Sequence, residues 1–239
     1  CTLGDAGHAE KILELTSPTG KLLGIDADAE SILRAKQYLY KFEERVVFVR
    51  DNFENLKTIV EENNFENADG ILMDFGWSSP QFEERGRGFS FQNNDEPLDM
   101  RYDTYLNCEH NAVDPPLGLD GKPLYGKCTA AEYVNTMSPA ILTKIFKDYG
   151  EEGLAGEIAE AVVEKRKEYN LETVKDLAEI ILNVYRTKLK TEKEIPWVGG
   201  LHPATKVFQA LRIAVNDEFG VIERVLPQAI EVLQSRGRL

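Results

Sequence analysis

Cysteine is scarce in this chain, with three in 239 residues. Cys1, Cys108 and Cys128 make no disulfide framework, so reduced thiols are expected. Cys108 and Cys128 flank a loop that carries His110. That segment supplies too few ligands at the usual spacing for a metal site, and none is expected. No run approaches the ~18 apolar residues of a membrane-spanning helix, so no membrane partner is expected. No secretory signal opens the chain, and there is no internal repeat or low-complexity tract. Positive charge is also short. The 28 Lys and Arg face 41 Asp and Glu, a net charge of −13 that weighs against broad, non-specific binding to nucleic acid.

The deficit is uneven. Residues 1–120 hold 11 Lys and Arg against 24 Asp and Glu, whereas residues 121–239 hold 17 of each. Basic residues gather at Lys165, Arg166 and Lys167, and again at Arg186, Lys188, Lys190 and Lys193. A solvated helix face accounts for such clusters; a phosphate-facing surface is the sharper reading. An apolar fraction of 42% is enough for a real core. The chain begins inside what reads as a motif and stops at Arg236-Gly237-Arg238-Leu239, where a new strand is due. It therefore reads as a fragment clipped at both ends.

The first half alternates helical and strand signals. A small-residue loop at residues 2–9 runs into an amphipathic helix with Ile12, Leu13 and Leu15 on its apolar face. Leu22-Leu23-Gly24-Ile25 reads as a buried parallel strand ending at Asp26. Helix is expected over 29–40, strand over 46–49, helix over 54–64 and strand over 70–73. This order predicts an α/β fold with a doubly wound, mostly parallel sheet.

After about residue 104 the pattern changes. Residues 107–127 read as a loop rich in Pro, Gly and Asp. Thr129-Ala130-Ala131-Glu132 is a capping box, and Ser138-Pro139 is an N-cap followed by proline at the first helical position. Helices are expected over 151–168, 173–189, 204–218 and 221–233. The division expected is a core of 1–104 and 205–239 interrupted by an all-helical insertion over 105–204.

Three places carry chemistry. Gly4-Asp5-Ala6-Gly7 is a tight loop before a helix, and Asp26 follows Gly4 by 22 residues. That is close to the spacing of a carboxylate that holds ribose hydroxyls. The third glycine of the dinucleotide fingerprint is missing, and Asp5 would repel a pyrophosphate at the helix N-terminus. A cofactor with a cationic centre and no phosphate, such as S-adenosylmethionine, suits the loop better. A capped helix after a strand explains the same residues without a ligand. Phe53, beyond the third-strand segment, is placed either to stack on adenine or to pack in the core.

Asp74-Phe75-Gly76-Trp77-Ser78-Ser79-Pro80-Gln81 follows a buried apolar run. It lies where open α/β sheets bind ligands. With Arg85-Gly86-Arg87-Gly88-Phe89-Ser90-Phe91 and Pro97-Leu98-Asp99-Met100-Arg101, it forms a block too polar and glycine-rich for core and too long for a connector.

These blocks, together with Thr2-Leu3-Gly4-Asp5-Ala6-Gly7-His8 and His202-Pro203-Ala204-Thr205-Lys206-Val207-Phe208-Gln209-Ala210-Leu211-Arg212-Ile213, resemble the RsmH (MraW) family. These are S-adenosylmethionine-dependent methyltransferases acting on cytosine N4 of small-subunit (16S) ribosomal RNA near the decoding site. The likeness runs over residues 1–239 in the family's order. It implies a Rossmann-like methyltransferase core with a helical insertion for RNA recognition, in a bacterial cytoplasm. It implies cofactor contacts at Gly4, Ala6, Gly7, His8, Asp26, Phe53, Asp74 and Gln81. The family commonly has glycine where Ala6 stands and valine where Trp77 stands. Ala6 costs little if its backbone angles are ordinary.

Cytosine N4 is a poor nucleophile because its lone pair is delocalised into the ring. Transfer needs in-line approach to the methyl group and an acceptor for the N4 protons. Asp74, Ser78, Ser79 and the backbone at Pro80 offer carboxylate, hydroxyl and carbonyl acceptors. The target base must leave its stack. Trp77, Phe89 and Phe91 offer stacking surfaces, although core packing explains the two phenylalanines as well. Arg85, Arg87 and Arg101 are candidate phosphate contacts, as are Lys206 and Arg212, for which a structural ion pair is the other reading. Small-subunit ribosomal RNA is the expected partner, and a dimer is left open. Two other functions fit part of the pattern: a cofactor-binding RNA or ribosome assembly factor without transfer activity, and a nicotinamide-dependent oxidoreductase.

Overall fold

Leu22–Asp26 and Val46–Arg50 form strands β1 and β2, paired in parallel with Leu22 opposite Val46 and Asp26 opposite Arg50. The computed structural model describes residues 2–76, 86–104, 128–190 and 201–239. Helices α1 (Gly7–Leu15), α2 (Ala29–Tyr38) and α3 (Leu56–Glu62) alternate with the strands, and β3 spans Ala68–Gly70. Along β1 and β2, successive side chains serve opposite faces. Leu22, Val46 and Phe48 join a cluster with Ala9 and Leu13 of α1 and Ala35 of α2. Leu23, Ile25 and Val49 join another with Leu56, Ile59 and Val60 of α3 and with Val225 and Ala229. The period of two thus buries the ribbon on both faces, as the near-continuous apolar runs require.

The second compact unit, Ser79–Asp217, separates the two segments of the first, Cys1–Ser78 and Glu218–Leu239. Its described elements are helices α4 (Ala130–Thr136), α5 (Pro139–Asp148), α6 (Ala155–Lys165), α7 (Val174–Leu189) and α8 (Thr205–Val215). Capping boxes start α4 at Thr129 and α7 at Thr173, and the Ser138 hydroxyl caps α5. Each side-chain oxygen satisfies an amide that the first turn would otherwise leave unpaired. Leu142, Phe146, Ile158, Val162, Leu177, Ile181, Phe208 and Leu211 share one core. Gly150 lets α5 and α8 approach closely. A Cβ there would lie 2.4 Å from the Lys206 carbonyl oxygen and 2.8 Å from that of Phe146.

Helix α9 (Glu218–Val232) and strand β4 (Leu233–Arg238) return to the first unit. β4 pairs with β3 in parallel, and the Ile71 amide adds a further bond to the Arg238 carbonyl at 2.8 Å. The Leu3 amide donates to the Ile25 carbonyl at 3.0 Å, and the Asp74 amide donates to the Thr2 hydroxyl at 2.6 Å. Residues 2 and 3 therefore lie between the end of β1 and the segment that follows β3.

Three expectations change. The strand expected over 70–73 is Ala68–Gly70; beyond it Ile71 and Met73 are half-buried against the core while Leu72 is exposed, so the apolar run does not mark the ladder. The block 74–101 is not all outside the core: Phe89, Leu98 and Met100 are buried with the helices. These residues and α8 share that core, and all lie within the second compact unit. Cys128 is buried and disulfide-bonded rather than a free thiol, its partner lying outside the described residues.

Candidate cofactor site

β1 ends in a carboxylate that organises the loop before α1. Asp26 Oδ2 accepts the Gly4 amide at 2.9 Å, and its Oδ1 accepts the Asp28 amide at 2.9 Å. Gly4 takes φ +51°, a left-handed conformation that glycine enters without penalty. Burial pushes the Asp26 carboxyl above its ordinary range, against the pull of the Asp28 and Gly4 amides. Two amides occupy one lone-pair direction on each oxygen, leaving each able to accept another donor. The Asp51 amide donates to the Asp26 carbonyl at 3.1 Å, which ties the end of β2 to the same place.

Asp28 is the strongest site residue that sequence reading passes over. It is 1% exposed, its Oδ1 caps α2 by accepting the Glu30 amide, and its own amide fixes Asp26. An aspartate two residues before a Glu-Ser pair at a helix start is a legible N-cap signal.

Ala6 sits at the N-cap of α1 with φ 67° and ψ 16°, and it is 1% exposed. Its angles are not ordinary: this is the left-handed region, where a Cβ costs about 1–2 kcal/mol. A Cβ added at Gly7, the first residue of α1, would meet open space. His8 is exposed, with Nδ1 3.8 Å from Asp74 Oδ2. Phe53 opens a 3-10 turn after β2 and is partly buried. Its ring packs against Phe75 with centroids 5.8 Å apart. Gly4, Ala6, Gly7, His8, Asp26, Phe53 and Asp74 all belong to the first unit, at or near its strand ends. Gln81, Trp77, Ser78, Ser79, Pro80 and Arg85 lie outside the described residues.

The loop also holds an unmet demand. Asp5 Oδ1 is buried and has no hydrogen-bond partner among the described residues. A buried acceptor of this kind is satisfied by a donor-bearing or cationic group and worsened by a phosphate.

The remaining basic candidates lie in the second unit. The Arg87 guanidinium donates to the Arg101 and Tyr102 carbonyls at 3.1 and 2.9 Å. Arg101 forks onto both oxygens of Asp99 at 2.7 and 2.9 Å, and that bond holds its pKa above the ordinary arginine value. Lys206 is at the surface, its Nζ donating to the Glu151 carbonyl at 2.9 Å. Arg212 is partly buried on α8. Phe89 stacks on Tyr102 and Phe91 on His202, so both rings have packing roles.

A model of the MraW methylase family matches residues 1–114 and 123–239. Among curated proteins, the chain is 38% identical over its whole length to ribosomal RNA small subunit methyltransferase H of Clostridioides difficile, covering 68% of that protein. It is 40% identical to the proteins of the same name from Symbiobacterium thermophilum and Desulfosudis oleivorans, covering 66% and 68% of them. The chain thus spans about two thirds of the length of these relatives.

Proposed function

This chain belongs to the MraW methylase family, and from that premise we propose that it methylates N4 of a cytidine in small-subunit (16S) ribosomal RNA, near the decoding site, using S-adenosylmethionine. Its relatives are named for methylation of that RNA, and their similarity runs the full length of the chain. The reading places a Rossmann-like, doubly wound sheet in the first unit and an inserted RNA-recognition unit in the helices. It makes the cytoplasm the compartment. Nothing observed favours the nicotinamide or non-catalytic alternatives.

The observation that carries the cofactor assignment is the Gly4–Asp26 bond, which holds a loop and a strand-end carboxylate in one place. The residues fit S-adenosylmethionine. Asp26 retains lone pairs for ribose hydroxyls, Phe53 offers a ring near the end of β2, and the orphan Asp5 oxygen suits a cationic neighbour. When bound, S-adenosylmethionine supplies the methyl group and a sulfonium leaving group that takes the bonding electrons.

The chain's own residues supply position and proton acceptance. Asp74, exposed beside His8, is proposed to accept a hydrogen bond from the N4 amino group, turning its lone pair toward the methyl carbon. Ser78, Ser79 and the backbone at Pro80 are proposed as further acceptors, with Gln81 on the cofactor side and Trp77 against the base. Arg85, Lys206 and Arg212 are proposed to meet RNA phosphates.

Calorimetric titration with S-adenosylmethionine tests the cofactor. Wild type is expected to bind, with Asp26→Ala reduced about 100-fold through loss of charge-assisted bonds. A folded chain that binds no S-adenosylmethionine overturns the reading. Transfer of labelled methyl to small ribosomal subunits, with cytidine N4 identified by mass, tests the reaction.

A further inference from the structure

Glu152, at the start of the turn before α6, is 4% exposed. Its Oε1 accepts the Tyr185 hydroxyl at 2.7 Å and the Leu154 amide at 2.9 Å. Its Oε2 is buried and has no partner among the described residues. Glu152 lines a cavity of about 300 Å³ together with Leu154, Tyr185, Leu201, His202 and Lys206. Two bonds on one oxygen fix the group, and the other oxygen has no compensating bond among the described residues.

We propose that this cavity is a binding site for an alkylguanidinium group, such as an arginine side chain. A buried carboxylate oxygen with no hydrogen-bond partner is costly unless a donor meets it, and a cationic N–H donor meets it best. Guanidinium suits the other walls better than ammonium. It is more weakly hydrated, so the apolar surface of Leu154 and Leu201 penalises it less, and its plane stacks on flat rings. His202 provides such a ring, backed by Phe91 at 4.4 Å and 7° between planes. Burial lowers the His202 pKa, which keeps the imidazole neutral and acceptable to a cation. Lys206 holds its own charge at the rim, on the Glu151 carbonyl. Its charge opposes any cation that enters, so binding is weaker than the carboxylate alone would give. This site belongs to the helical unit and does not depend on the cofactor reading.

The test follows the Gly153 and Leu154 amides by NMR in the full chain at low salt, with n-butylguanidine as the probe. Saturable shifts are expected, with n-butylamine weaker and cytidine silent. Glu152→Gln is expected to weaken n-butylguanidine by about tenfold or more, since it removes the charge-assisted bond. Tyr185→Phe leaves Oε2 untouched and is expected to retain binding. Lys206→Met is expected to tighten it by relieving like-charge repulsion. N-acetylarginine methylamide distinguishes the sources: binding at least as tight as n-butylguanidine assigns the site to an arginine of a partner polypeptide, and weaker binding to a small guanidine. The proposal is overturned if n-butylguanidine produces no saturable shift in wild type. It is equally overturned if cytidine moves these amides and n-butylguanidine does not, a comparison that needs no variant to fold. Undiminished n-butylguanidine binding to folded Glu152→Gln would also sink it.

Discussion

The Gly4 amide donates to Asp26 Oδ2 at 2.9 Å, closing 22 residues of chain onto one carboxylate. The bond joins the loop before α1 to the end of β1. Any ligand that uses one must therefore meet the other.

Asp26→Asn tests the charge at this point. An amide keeps one acceptor where two backbone amides need two, so S-adenosylmethionine binding is expected to weaken by about tenfold or more. Stability has its own signature. Burial raises the folded pKa of Asp26 above its ordinary value of 3.8, so the folded state takes the proton more readily. Wild type should gain stability relative to Asp26→Asn as pH falls from the raised value toward 3.8, and lose that gain above it. Urea titrations at a series of pH values read the difference.

Ala6 sits in a left-handed conformation yet has a buried methyl group. Ala6→Gly relieves the backbone but loses core contact and frees the unfolded chain. The terms oppose, and stability should change by less than about 1 kcal/mol. Ala6→Val meets the same backbone with a branched Cβ in a filled site, and should cost about 2 kcal/mol or more. Denaturant midpoints separate them.

Thr173 caps α7 in a reciprocal pair with Asp176. Thr173→Ala should lower stability by about 1 kcal/mol without altering S-adenosylmethionine affinity. Circular dichroism and calorimetry give the two readouts.

Among the basic residues, Arg87 and Arg101 hold bonds within the second unit, and the RNA contact proposed for Lys206 can be tested apart from stability. Arg87→Met loses two bonds from one guanidinium nitrogen to the Arg101 and Tyr102 carbonyls, and Arg101→Lys loses a two-point pair with Asp99. Each should appear first as lost stability, on the order of 1–2 kcal/mol. Lys206→Ala should leave stability nearly unchanged. It should lower the slope of log affinity for ribosomal RNA against log salt by about 0.7–0.9, one phosphate contact. An unchanged slope would remove Lys206 from the RNA surface.

His202 sets a pH dependence of the opposite sense to Asp26. Burial lowers its folded pKa below 6.5, so the unfolded chain takes the proton first. The stability it contributes as a neutral ring is lost as pH falls through about 6.5 toward the lower value. His202→Gln should flatten stability over that range.

Sequence alone determined the pieces whose cause is local. Capping at Thr129 and Ser138 depends on residues three apart, and both caps form as read. Strand β1 and its terminal Asp26 follow from a short apolar run ending in an acid, and the blocks shared with the family fix the class of chemistry. Tertiary structure decided what depends on distant partners. Whether Asp26 meets Gly4, whether Ala6 is strained, and whether Arg101 meets Asp99 are questions of distance that spacing does not answer. The buried oxygens of Asp5 and Glu152 that have no partner among the described residues are of this kind too. An acid's residue type is written in the chain, but its burial and its lack of a partner exist only once separate segments pack around it.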